Sequence, residues 1–103
     1  MKIQKPRAEL FAEALGEEVS SAFNKLASEI MKQSALSKRD KALIAVGCAA
    51  AIRCEHCINV NRERASMAGA SMEEILEASA IGGMVRLASG FNAASVLLDN
   101  QEI

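Results

Sequence analysis

The chain has neither tryptophan nor tyrosine, and three phenylalanines are its whole aromatic content. It has no charge excess either: 12 Lys and Arg against 13 Asp and Glu leave a formal net charge of -1. Nucleic-acid binding therefore lacks both its basic footprint and its stacking platforms. The longest uninterrupted apolar run, Ala42 to Ile52, is 11 residues, well short of the roughly 20 that a spanning helix requires. The opening "MKIQKPRAEL" carries no apolar stretch of the export type. These absences predict a soluble, cytoplasmic protein with no membrane partner. Sustained period-two alternation is missing and β-branched residues are few, so no strand is expected.

What is present is apolar and helical. Half of the 103 residues are hydrophobic, enough for a real core in one domain spanning residues 1–103. Phe11, Leu15, Val19, Phe23, Leu26 and Ile30 recur at steps of three or four, predicting one long amphipathic helix from Glu9 to Met31, weakened at Gly16. Ser37 and Asp40 then make a capping-box variant that opens a second helix. Its body, "ALIAVGCAAAI", is apolar on every side, so it is expected at the centre of the fold, surrounded by neighbours.

A shorter helix is expected from about Cys57 to Ala68, with Gly69 as its left-handed cap. Ser71 and Glu74 form a full capping box. The helix after it carries Ile75, Leu76, Ile81, Met84, Val85 and Leu87, interrupted by Gly82 and Gly83, and Gly90 is expected to set off a last segment with Phe91, Ala94, Leu97 and Leu98. The predicted fold is all-α, with about five helices. So small a domain leaves an all-apolar helix and a Gly-Gly pair hard to cover alone, which predicts a homo-oligomer.

The chemistry concentrates in "RCEHCINVNRERA", residues 53–65, where the single histidine stands between two of the three cysteines. An odd cysteine count in a chain without an export signal argues against a disulfide framework and for thiols that are buried, metal-bound or redox-active. At a helix N-terminus, Cys54 and Cys57 would fall on nearly one face, where the helix dipole lowers thiol pKa. A zinc site needs about four ligands; beyond the pair there remain Cys48 and His56, and no second C-x-x-C exists. The third reading is two plain core cysteines. Cys48, inside "AVGCAAA", reads as a small buried hydrophobe, protected from modification. The charged neighbours Asp40, Lys41, Arg62, Glu63 and Arg64 read as a solvated helix face, and Arg53 as a cation adjoining the pair.

The run "LSKRDKALIAVGCAAAIRCEHCINVNRERASMAGASMEEILEASAI" resembles the core of the carboxymuconolactone decarboxylase superfamily, over roughly Leu36 to Leu98, and its C-x-H-C resembles the AhpD-like alkylhydroperoxidase branch. The resemblance implies an all-helical fold assembled as trimers or hexamers. It implies a redox-active disulfide that reduces peroxides or disulfides, with a peroxiredoxin or a dithiol as electron partner and no cofactor or metal. Carried onto this chain, Cys57 attacks, Cys54 resolves, and His56 is retained from the pattern. That branch also has a glutamate 12 residues before the first cysteine and a histidine four after the second, forming a proton relay. Here those positions hold Ala42 and Asn61. The missing relay supports an alternative, a noncatalytic helical oligomer or binding module derived from such enzymes. Lactone decarboxylation, the reaction that names the superfamily, is a weaker alternative, because those members generally lack the cysteine pair and no acid-base set replaces it here.

Overall fold

The computed structural model describes residues 5–100. Among them are five α-helices and no strand: α1 (Arg7–Ala14), α2 (Glu17–Met31), α3 (Lys38–Ala51), α4 (Glu55–Met67) and α5 (Met72–Ala94), followed by a 3₁₀ segment, Ser95–Asn100. The all-α expectation holds, with two changes of boundary. Gly16 breaks the expected long helix in two, because it takes φ 121° and the chain turns between α1 and α2. A left-handed glycine carries no Cβ penalty there. Gly90, in contrast, does not interrupt α5; a helix-interior glycine costs only about 1 kcal/mol, which a 23-residue helix absorbs.

Local capping chemistry sets most of the helix ends. Ser37 Oγ accepts from the Asp40 N–H at 3.0 Å and starts α3. At α5 the capping box is complete: Glu74 N–H donates to Ser71 Oγ and Ser71 N–H to Glu74 Oε1. Gly69, at φ 96°, closes α4 with Ala70 N–H on the Ala65 carbonyl and Gly69 N–H on that of Ser66, the paired arrangement that satisfies orphan carbonyls. Side chains from neighbouring helices complete two further ends. Lys41 Nζ donates to the carbonyls of Ile30 and Lys32 at 2.6 and 2.7 Å, tying the end of α2 to α3. Arg86 Nη1 of α5 reaches the Ala51 carbonyl at the end of α3, at 3.2 Å.

The Ser71 amide and the Arg39 guanidinium both bond the Glu74 carboxylate and hold its pKa below the ordinary 4.5. A carboxylate whose folded pKa is depressed contributes stability that is present above the unfolded value and lost as pH falls through the folded one. The urea midpoint of the protein should accordingly drop more steeply below about pH 4.5 than that of Glu74→Gln. Parallel curves would remove Glu74 from the acid response.

α3 lies at the centre, packed by α5 and α4. Its Ala42 and Val46 are buried together with Ala65, Ala70 and Ile75, with Leu43 against them. α3 and α5 cross backbone to backbone at Gly47 and Gly82. A Cβ on Gly82 would fall on the Gly47 carbonyl, with its carbon at 2.7 Å. The core is small, and much apolar surface lies outside it. α2 has no buried residue; Val19, Phe23, Leu26 and Ile30 line one bare stripe. On α5, Leu76, Ile81, Met84, Val85, Leu87 and Phe91 are all more than half exposed. The radius of gyration is 17.4 Å and the longest extent 59 Å, against about 13 Å expected for a compact domain of 100 residues.

Two expectations change here. α3 is covered on the side of Ala42, Val46 and Ala49, while Ile44, Cys48 and Ile52, at steps of four, form an open strip. Cys48 is therefore exposed in the protomer, because a helix apolar on all sides found neighbours on only part of its circumference. Second, Met72–Asp99 is long and apolar enough to cross a membrane by length and composition, with 6% of its most apolar window buried. No long uninterrupted apolar run marks it, since Glu77, Ser79, Arg86 and Ser89 punctuate the segment.

Candidate functional site

The cysteine pair sits where α3 hands over to α4, and the turn between them explains its position. Arg53 N–H donates to the Ala50 carbonyl and Cys54 N–H to the Ala49 carbonyl, at 3.1 and 3.2 Å. This closes α3 with the same paired bonds seen at Gly69, but here the left-handed residue is Arg53, at φ 59°. A side chain in that conformation costs roughly 1–2 kcal/mol. The next residue, Cys54, is extended (φ -100°, ψ 99°) and serves as N-cap of α4. One residue thus ends one helix and begins the next. Sequence reasoning placed the start of α4 near Cys57; it begins at Glu55, because sulfur can cap a helix although cysteine is not among the usual capping residues.

Cys54 and Cys57 form a disulfide with a Cα–Cα separation of 5.2 Å, within the usual range for such bridges. Cys54 Sγ also accepts the Cys57 N–H, at 3.2 Å. Both residues are half-buried, so the bridge is screened yet reachable. Cys48 stays free and exposed, outside this pair.

His56 is half-buried, and its Nε2 accepts the backbone N–H of Arg7 at 3.1 Å. That bond brings the start of α1 to the site and leaves the proton of a neutral ring on Nδ1. Arg7 is a contributor that sequence reasoning missed. A backbone amide 49 residues away leaves no local signal. Asn61 lies one turn after Cys57, and its Nδ2 donates to the Cys57 carbonyl at 2.8 Å. Cys57, Asn61 and Ala65 therefore occupy one stripe of α4, and Ala42, 3% exposed, clusters with Ala65. The two positions that the resemblance pairs with a relay thus hold an amide bonded to the Cys57 carbonyl and a buried methyl group.

The charged neighbours have mixed roles. Asp40 pairs with Arg39 at 3.6 Å and Lys41 caps α2. Arg62 and Glu63 line a shallow cleft over Ala70 and Ile75, and Arg64 borders another beside Ala42. None of these is brought to the cysteines by a hydrogen bond. Among the described residues no three His, Cys, Asp or Glu side chains converge on a point where a metal ion could sit.

A half-buried C-x-x-C disulfide at the α3–α4 turn, in a fold whose α3 and α5 cross at glycines, is a specific combination, and comparison with known proteins identifies its family. The model of the carboxymuconolactone decarboxylase family matches residues 17–99. This chain belongs to that family. A crystal structure of a Methanobacterium thermoautotrophicum protein superposes with a TM-score of 0.80 at 34% identity, covering 88% of this chain and 98% of that one. A Paracoccus denitrificans relative, named as uncharacterized protein 4 in the cox locus, is 33% identical over 87 residues, covering 82% of this chain and 78% of its own length. The solved relative shares the helical frame over most of this chain.

Proposed function

We propose that this carboxymuconolactone decarboxylase family member is a thiol-disulfide oxidoreductase, cycling Cys54 and Cys57 between dithiol and disulfide to reduce peroxides or disulfides. The observation that carries this reading is the disulfide itself, placed at the N-cap of α4 and half-buried. An inert pair of core cysteines would have no need of the helix end, whereas a thiolate is favoured there. A dithiol or a peroxiredoxin supplies or accepts the electrons. Loss of both relay groups makes it a slow peroxidase and leaves disulfide exchange as the easier reaction. Homo-oligomerisation belongs to the same proposal. The bare stripes of α2 and α5 and the Ile44–Cys48–Ile52 strip are the surfaces that a trimer or hexamer would cover, within a cytoplasm that keeps thiols reduced.

The test is intact mass combined with turnover. Mild oxidation should remove two hydrogens from the native chain, reversibly, with both missing protons mapped to Cys54 and Cys57. Peroxide or aromatic-disulfide turnover with a dihydrolipoyl-type dithiol should fall at least about 100-fold in Cys54→Ser and in Cys57→Ser, since residues acting as one unit fail together. Light scattering should give a multiple of the protomer mass without detergent. A folded chain that neither forms the bridge nor turns over points instead to the alternative, a noncatalytic helical assembly, which the buried Ala42 and the committed Asn61 amide favour.

A further inference from the structure

The proposed redox cycle leaves open which thiol attacks, and the family resemblance assigns that role to Cys57. We infer that in this chain the roles are exchanged, with Cys54 the attacking thiol and Cys57 the resolving one. The inference rests on the redox reading and deepens it.

Four observations carry it. The Cys57 N–H is directed at Cys54 Sγ, at 3.2 Å, so a thiolate on Cys54 receives an amide hydrogen bond at the positive end of a 13-residue helix. Cys57 is the third residue of α4, within its first turn, and the structure records no donor to its own sulfur among the described residues. The base that would activate Cys57 is absent, since position 61 holds an amide bonded to the Cys57 carbonyl and position 42 a buried methyl group. Arg53 adjoins Cys54, is exposed, makes no ion pair among the described residues, and occupies a left-handed position that glycine would fill without strain. Strain of this kind persists where the side chain has a use, and an unpaired cation on the residue that precedes Cys54 favours an anion there. The other charged groups close by are Glu55 on α4, which opposes the anion, Arg7 on α1 and Arg86 on α5. His56 has its Nε2 occupied by the Arg7 amide, and the Arg86 guanidinium is bonded to the Ala51 carbonyl.

With a disulfide substrate the cycle balances as follows. The Cys54 thiolate attacks one substrate sulfur, breaking the substrate S–S bond; a mixed disulfide forms and the first thiolate leaves, taking a proton. Cys57 gives up its proton and attacks Cys54 Sγ, releasing the second substrate thiol and closing the Cys54–Cys57 bridge. The substrate gains two electrons and two protons, and a small dithiol returns them to the protein by the reverse exchange.

The experiment reads each thiol separately, in a Cys48→Ala background because Cys48 is exposed. Cys57→Ser leaves Cys54 alone, and Cys54→Ser leaves Cys57 alone with serine, a good N-cap, holding the start of α4. Iodoacetamide alkylation from pH 4 to 10, followed by intact mass, gives a midpoint for each thiol that does not depend on how accessible it is. The Cys54 midpoint should lie at least one pH unit below that of Cys57, and Cys54 should react at least ten times faster at pH 7. Added to the Cys57→Ser protein, Arg53→Gly should raise the Cys54 midpoint while raising the melting temperature, and Arg53→Lys should restore the midpoint. A purely structural Arg53 would move the melting temperature alone.

Limiting iodoacetamide on the reduced native chain, mapped by peptide mass, gives the same comparison without any cysteine variant. Equal midpoints, or a lower one at Cys57, overturn the assignment. Absence of a reversible disulfide in the wild type overturns the redox reading and this assignment with it, whereas a reversible bridge with Cys57 the more acidic thiol overturns the assignment alone.

Discussion

Gly82→Ala should destabilise the protein by about 3 kcal/mol, while Gly83→Ala, one residue on, should stabilise it by roughly 0.8 kcal/mol. The opposite signs follow from what each new methyl group meets. At Gly82 the Cβ lands on the carbonyl of Gly47, with the Gly47 Cα at 3.0 Å. That neighbour is backbone inside α3 and cannot rotate away, so the two helices must separate. Because α3 carries the turn that presents Cys54, separation should also lower the rate of thiol chemistry. At Gly83 nothing lies within 4 Å of the new methyl, and exchanging a helix-interior glycine for alanine returns the propensity that glycine forfeits. Folded domains have only about 5–15 kcal/mol in hand, so the Gly82 change removes a large share. Urea midpoints of the two variants decide the matter. Equal, near-native midpoints would show that α3 and α5 do not cross in backbone contact.

The same pair of glycines marks where the sequence could be read and where it could not. Helix boundaries were legible because capping is local: Ser37 and Ser71 at starts and Gly69 at an end each act within a few residues of themselves. The pairing of Cys54 with Cys57 was legible for the same reason, being three residues apart at a helix start. Gly82 was visible only as an interruption, since its partner Gly47 is 35 residues away and nothing in the spacing pairs them. Arg53 gave no sign of its left-handed backbone, because the usual marker of that conformation is glycine. The exposed state of Cys48 was misread because an apolar neighbourhood in sequence says that a helix must be covered, but not whether its own chain covers it.

Asn61→His should raise the rate of reaction with peroxide on the order of 100-fold, the lower part of what general-base assistance supplies. The side chain at 61 stands one turn from Cys57 on the same stripe, so an imidazole there can take the thiol proton. The rate should acquire a new pH dependence near the ordinary histidine pKa of about 6.5. The alkylation midpoint of Cys57 should fall toward the same value, giving this sulfur the activation that the native chain reserves for Cys54. Losing the Asn61 bond to the Cys57 carbonyl costs about 1 kcal/mol, small enough for the variant to fold.

Ala42→Glu alone has a different outcome, because Ala42 is 3% exposed among Val46, Ala65, Ala70 and Ile75. An unpaired carboxylate entering that cluster should cost about 3 kcal/mol and leave the peroxide rate unchanged. Together the two substitutions rebuild the relay, since position 42 packs beside Ala65, one turn beyond position 61. A charged pair between them should recover about 1–2 kcal/mol of the loss and hold the imidazole toward Cys57, so the double variant should exceed Asn61→His in rate. A double-mutant cycle in stability, run beside the peroxide rates of all four proteins, measures both effects. Additive stabilities with no gain in rate would mean that the stripe no longer aligns a base with the thiol, and that this chain has moved to chemistry in which the relay has no part.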